Sequence, residues 1–104
     1  MKVTLYLKSR SNAFSAESIY EDGKITVKKG SVVNLTFAEH IRGGKKAKSY
    51  LNDDRYVDEK GLVLKDCSFN SPSTAAQFVT GSSRNGYLVW KTKDGKKLKD
   101  IISE

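Results

Sequence analysis

The side chains that could perform catalysis are few and scattered in this 104-residue chain. The one histidine, His40, and the one cysteine, Cys67, stand in no recognisable nucleophile motif, and neither has a partner at zinc-ligand spacing. The single acidic cluster, from Asp53 to Glu59, is typical of a solvated loop. The sequence therefore predicts no enzyme, no metal site and no small-molecule cofactor.

The charge of the chain indicates binding rather than catalysis. There are 19 Lys and Arg against 12 Asp and Glu, a net charge of +7, and residues 1–52 carry +6 of it. A basic surface attracts nucleic acid, anionic membranes or acidic proteins. The alternative is that the charge only keeps the protein in solution.

A basic strip without any acidic residue surrounds Gly43-Gly44. It consists of Arg42, Lys45, Lys46 and Lys48. Glycines allow a backbone to approach a phosphate closely, and the lysines fall on the solvent side of a predicted helix. The strip is therefore a candidate phosphate contact, with an ordinary solvated helix face as the alternative.

A second basic cluster lies towards the C-terminus and is interrupted by Asp94. Its members are Arg84, Lys91, Lys93, Lys96, Lys97 and Lys99. Among them, Arg84 and Lys91 are the candidate contacts. These residues span several predicted elements, so they form one surface only if the fold brings them together.

Two further groups of residues are candidates for ligand contact. Ser71 and Ser73 flank a predicted helix start, where free N–H groups favour an anion, although Ser71 also fits a simple cap. Asn85, Tyr87 and Trp90 could contact bases, and an aromatic ring could stack on one. Packing in the core is the alternative for Trp90, the only tryptophan.

Hydrophobic periodicity predicts the elements that carry these residues. Val3, Leu5 and Leu7 alternate as in a half-buried strand, and Asp22-Gly23 is typical of a hairpin turn. Further strands are predicted at 32–37, 62–66 and 87–91, and helices at 45–53, from Pro72 to Gly81 and near the C-terminus. We therefore expect a single α+β domain, 1–104, with a mainly antiparallel sheet and two or three short helices packed on it.

Cysteine usage and hydropathy bear on the location of the protein. A single cysteine excludes an intramolecular disulfide and indicates a reducing compartment, so the cytoplasm is the expected location. No apolar run approaches the roughly 20 residues of a membrane span. We therefore expect no membrane partner.

The C-terminal part contains a string of short motifs in a characteristic order. These are Phe69 to Ala76, Val79-Thr80-Gly81, Asn85-Gly86-Tyr87, Trp90-Lys91 and Asp94 to Leu98. Over about residues 61–100 the string resembles the bacterial domain of unknown function (DUF) 4357. It is also similar to the RAMA module, the restriction enzyme adenine methylase associated module.

The resemblance implies a partner rather than a reaction. Such modules are often fused to nucleases and methylases and are suspected of binding DNA, including modified DNA. Together with the charge, this gives the hypothesis of a non-catalytic nucleic-acid-binding module, for DNA first, in restriction–modification or mobile-element biology. The alternative is a protein-interaction adaptor that binds an acidic partner, such as a nuclease or methylase subunit.

Overall fold

The computed structural model describes residues 2–11, 13–35, 45–82 and 84–102. The strands are β1 (Lys2–Lys8), β2 (Ser15–Glu21), β3 (Lys24–Val27) and β4 (Cys67–Phe69), and the helices are α1 (Lys45–Leu51), α2 (Pro72–Thr80), α3 (Gly86–Val89) and α4 (Leu98–Ile102). The strands form one antiparallel sheet in the order β1-β2-β3-β4. The expected α+β class is confirmed, with four short helices in the described residues rather than two or three.

The N-terminal hairpin forms as its sequence predicts. Asp22 and Gly23 have φ angles of 50° and 86°, the positive values that a tight turn between β2 and β3 requires. In β1 the odd-numbered residues Leu5 and Leu7 are buried, while Tyr6 and its even-numbered neighbours are exposed. One face of the sheet therefore faces the core, and the other, which we call the open face, carries polar side chains.

The helices pack on the core face of the sheet. Helix α2 is central: it contacts β3, β4, α1 and α3, and its Ala75, Phe78 and Val79 are fully buried against the strands. Its ends are set locally, because Ser71 Oγ accepts a hydrogen bond from Ser73 N–H and Gly81 ends the helix in a left-handed conformation. The predicted start and stop of this helix are both confirmed.

Trp90 connects the three C-terminal helices. Its indole Nε1–H donates to the Pro72 carbonyl at the start of α2 (3.0 Å), and its own N–H donates to Gly86 O (3.1 Å). Its carbonyl accepts from Leu98 N–H, which begins α4 (3.0 Å). The side chain is completely buried, so all three connections lie around one core position.

Gly86 completes this arrangement because it packs directly against the backbone of α2. A Cβ atom at this position would overlap the Pro72 carbonyl and the Ser73 nitrogen. The Gly86 N–H donates to Ser73 Oγ (3.0 Å), which holds the two helix starts together. We call this set of interactions the Pro72–Gly86–Trp90 contact.

Three predicted strands are wrong in the described residues. Residues 86–89 form helix α3, because Asn85 Oδ1 caps its first turn and Trp90 must turn inwards to Pro72. The predicted strand at 62–66 is reduced to single bridges at Leu62 and Val63, and the actual strand, β4, lies at Cys67–Phe69. Of the predicted strand at 32–37, Val32 forms isolated bridges, and residues 36 and 37 lie outside the described residues.

Both edges of the sheet are occupied by other parts of the chain. At β4, Tyr50 Oη accepts a hydrogen bond from Ser68 N–H and donates one to Ser68 O, both at 3.3 Å. These are the backbone groups that an additional strand would otherwise bond to. At β1, Lys91 pairs with Tyr6 through two backbone hydrogen bonds of 2.7 and 3.1 Å. The middle of each edge strand is therefore paired within the molecule.

A substitution at Gly86 tests the importance of its close packing. We expect Gly86→Ala to lower the free energy of unfolding by about 2–3 kcal/mol, because the added methyl group must displace the backbone of α2. The matched control is Gly95→Ala, where φ is +90° but nothing lies within 4 Å of the new Cβ. We expect this control to cost about 1 kcal/mol from backbone strain alone. Equal losses in urea denaturation would contradict the packing argument.

Candidate nucleic-acid interface

The net positive charge of the chain lies in two segments. Residues 2–10 and 84–102 together contain nine basic and two acidic residues, a net charge of +7, whereas the rest of the chain has ten of each. The nine are Lys2, Lys8, Arg10, Arg84, Lys91, Lys93, Lys96, Lys97 and Lys99. One segment lies in the N-terminal half of the chain and the other in the C-terminal half, so charge counted by halves does not show that they belong together.

The fold brings these two segments together at the edge of β1. Lys91 pairs with Tyr6 and, on its other side, with Lys97, both in antiparallel geometry. Directly opposed residues of antiparallel strands point to the same face of a sheet. Because Tyr6 is exposed on the open face, Lys91 and Lys97 extend that face, while their neighbours Trp90 and Leu98 are buried on the other side.

The result is a basic surface on one side of the sheet. We call it the β1 surface and define it by Lys2, Lys8, Lys91 and Lys97, which share the open face with Tyr6, and by the turn residues Arg10 and Lys93, which follow Lys8 and Lys91 in the sequence. All six basic residues are exposed, and Tyr6 has 36% of its surface accessible. Exposed cations on the same face as an exposed ring can contact several phosphates and leave an aromatic face for a base.

The predicted strip around α1 does not join the β1 surface. Lys45 and Lys46 are exposed and Lys48 is partly buried, but α1 lies at the opposite edge of the sheet, where its Tyr50 bonds to β4. Arg42 lies outside the described residues. The strip on α1 and the β1 surface therefore lie at opposite edges of the sheet, and α2 and α3 lie between α1 and α4.

The predicted anion contact at the start of α2 is occupied by the protein itself. Ser71 Oγ accepts from Ser73 N–H (3.2 Å), and Ser73 Oγ accepts from Gly86 N–H (3.0 Å). Gly86 also lies against the Ser73 nitrogen. These serines cap α2 and hold the starts of α2 and α3 together.

The remaining predicted contacts divide between structure and surface. Trp90 is 0% exposed, so the prediction that it contacts a base is wrong, and its alternative role in the core is confirmed. Asn85 uses its side-chain oxygen to cap α3, accepting from Tyr87 N–H at 3.0 Å. Arg84 and Tyr87 are exposed, and the Arg84 Nε–H donates to Ser82 Oγ (3.0 Å). Both stay predicted ligand contacts.

A groove on the open face was missed by the sequence analysis. It has a volume of about 320 Å³ and lies between Tyr6 on β1 and the loop after β3, with Glu17 of β2 on its floor. The loop leaves the sheet after Lys28, and Val32 rejoins β2 opposite Ser15. Tyr6 stands between the buried Leu5 and Leu7, and this alternation is a signal that could have identified it as an exposed aromatic residue, but the groove itself depends on long-range pairing.

Neither Cys67 nor the acidic loop forms a reactive site in the described structure. Cys67 is completely buried, and burial raises the pKa of its thiol to about 12. In the acidic loop, hydrogen bonds from Arg55 lower the pKa of Asp53 to about 2, and the two side chains pair at 2.7 Å. Among the described residues, no three His, Cys, Asp or Glu side chains are grouped closely enough to hold a metal ion.

Comparison with known proteins gives one match. The family model described as "Domain of unknown function (DUF4357)" matches residues 5–102, which includes the N-terminal sheet as well as the C-terminal motifs. No curated protein and no solved structure matches the chain. Within the described residues, no helix is both long and apolar enough to span a membrane.

The state of Cys67 can be tested by alkylation. We expect the native protein to react with iodoacetamide at pH 8 far more slowly than the urea-unfolded protein, because the native thiol is buried and almost entirely protonated at that pH. The readout is mass spectrometry of the intact chain over time. Equal rates in the two states would show that the thiol is accessible and contradict its placement in the core.

Proposed function

The chain belongs to the family described as a domain of unknown function (DUF4357), and we propose that it is a non-catalytic module that binds nucleic acid through the β1 surface. The observation that carries the proposal is the segregation of charge. The entire net charge of +7 lies in residues 2–10 and 84–102, which the pairing of Tyr6 with Lys91 joins. A polyanion is the partner that such a surface fits best.

The positions of the basic residues support this proposal beyond their number. Lys91 and Lys97 are held by backbone pairing, and Lys2 and Lys8 lie on a regular strand, so their Cα positions are fixed before binding. Less backbone has to be ordered when the phosphate-contacting residues stand on paired strands. The affinity should come mainly from release of counterions and should fall steeply with salt.

We propose DNA, including modified DNA, as the ligand because residues 61–100 resemble modules associated with restriction enzymes and methylases. That resemblance also suggests a bacterial protein in restriction–modification or mobile-element biology. The cytoplasm is the proposed location, since DNA is there and the sole cysteine is free and buried. We propose no cofactor and no catalytic residue.

The adaptor hypothesis keeps one supporting observation. Tyr87, Leu88 and Ile102 are exposed apolar residues on the neighbouring helices α3 and α4. Extension of the sheet by a partner strand is not favoured, because Tyr50 and Lys91 occupy the middle of the two edges. An acidic protein partner would therefore use the β1 surface or the α3–α4 side chains.

Removal of charge from the β1 surface tests the proposed function. For the triple variant Lys8→Ala, Lys91→Ala and Lys97→Ala, we expect at least about tenfold weaker binding to a labelled DNA duplex or single strand. We also expect the slope of log K against log salt to become shallower by about 2–3, because a variant that makes fewer phosphate contacts releases fewer counterions on binding. Fluorescence anisotropy over a salt series measures both quantities.

The matched variant carries Lys45→Ala, Lys46→Ala and Lys60→Ala, which removes the same charge from exposed residues outside the β1 surface. We expect it to keep most of the affinity and the salt slope. A larger loss in this variant than in the β1 variant would move the site to the α1 strip. No binding of the wild type to either DNA form at low salt would refute the proposal and leave the adaptor hypothesis.

A further inference from the structure

One row of side chains crosses the open face of the sheet at the height of Tyr6. Backbone pairing places Lys97, Lys91, Tyr6 and Glu17 side by side in that order. Neighbouring strands lie about 4.8 Å apart, and opposed residues point to the same face. The row therefore presents two cations, an aromatic ring and a carboxylate at regular intervals along one line.

This order corresponds to the parts of one nucleotide. A phosphate carries negative charge, a base offers a flat aromatic face, and the outer edge of the base carries hydrogen-bond donors. The lysines suit the phosphate, the ring of Tyr6 suits the face of the base, and the Glu17 carboxylate accepts hydrogen bonds from its edge. Glu17 lies at the end of the row away from the two lysines, so its negative charge does not face the phosphate.

The groove beside Tyr6 provides room for the base. Tyr6 and Glu17 line it together with Gly30 and Ser31 of the loop after β3, and its volume is about 320 Å³. No atom lies within 4 Å of the position where Gly30 would carry a Cβ, so the backbone there is open. Lys28, across the groove, is paired with Asp66 at 3.3 Å.

The loop that forms the groove wall is held firmly in place. Lys29 N–H donates to Asp66 Oδ1 (2.9 Å), and Gly30 N–H donates to Val63 O (2.8 Å). Ser31 Oγ accepts from Glu17 N–H (3.1 Å), which satisfies the strand group that the departing loop leaves unpaired. The groove is therefore shaped by hydrogen bonds that exist without a ligand.

We propose that the open face binds a single-stranded segment, with one base stacked on Tyr6 and its hydrogen-bonding edge against Glu17. This inference rests on the proposed function, because the same lysines supply the phosphate contacts. The bases of a duplex are stacked on one another and cannot reach a ring that lies within a sheet. Guanine is the expected base, since its N1–H and N2–H groups can donate to both carboxylate oxygens.

Substitutions at Tyr6 test the stacking. The probe is a fluorescently labelled oligothymidylate with one central guanine, compared with the same strand annealed to its complement. We expect tighter binding to the single strand, and about tenfold loss for Tyr6→Ala and Tyr6→Leu with an unchanged salt slope, because stacking involves no counterions. Tyr6→Phe keeps the ring and should bind like the wild type. Circular dichroism confirms that each variant is folded.

Glu17→Gln tests the recognition of the base independently of Tyr6. We expect the wild type to bind the guanine-containing strand several-fold more tightly than plain oligothymidylate, and the variant to lose this preference. The remote control is Leu64→Ala, an exposed apolar residue outside the groove and the β1 surface, which should change neither affinity nor preference.

The possible failures are distinguishable. If Tyr6→Ala binds the single strand like the wild type while the β1 triple variant does not, the stacking proposal is refuted and nucleic-acid binding stands. A duplex that binds more tightly than the single strand refutes it in the same way. If neither form binds the wild type at low salt, the proposed function fails, and this inference fails with it.

Discussion

The carbonyl of Pro72 accepts a hydrogen bond from the Trp90 indole, and the arrangement of the C-terminal half depends on this interaction. The bond fixes the end of α3 on the start of α2, and Gly86 allows the two backbones to meet. Leu98 N–H then binds the Trp90 carbonyl and sets the start of α4. Losing one partner of such a buried pair costs about 1–3 kcal/mol, because the other is left without a partner.

The same contact also determines where the positive charge lies. Lys91 follows Trp90 directly, so when the tryptophan is held inside the core the lysine is directed to the edge of β1. Lys97 precedes the buried Leu98 and is placed in the same way. The motif string thus combines two kinds of residue: Trp90 and Leu98 are buried in the core, and the adjacent Lys91 and Lys97 are exposed at the edge of β1.

Local signals in the sequence were sufficient for the parts of the fold that local interactions decide. Asp22-Gly23 predicted the hairpin, and Ser71-Pro72 predicted the start of α2, because turn and cap preferences involve only adjacent residues. The segment 87–91 is rich in strand formers, yet most of it is helical. Its conformation is determined by the distant Pro72, which no local pattern reveals.

The candidate site was predicted only in part, for the same physical reason. Lys91 was identified from the C-terminal cluster, whereas Tyr6 was not among the predicted contacts. Their pairing links residues far apart in the sequence, so the site could not be assembled before the fold was known. Trp90 was grouped with the base contacts because the residue type alone does not distinguish an aromatic side chain that stacks on a ligand from one that fills a core.

The occupied sheet edges have a consequence for the protein at high local concentration. A polyanion gathers many copies of a basic protein into a small volume, where exposed strand edges would join and seed fibrous aggregates. Tyr50 on β4 and Lys91 on β1 take the backbone groups through which such joining would start. Even where copies of this chain are concentrated, the backbone groups at Ser68 and Tyr6 are already paired and offer no start for edge-to-edge joining.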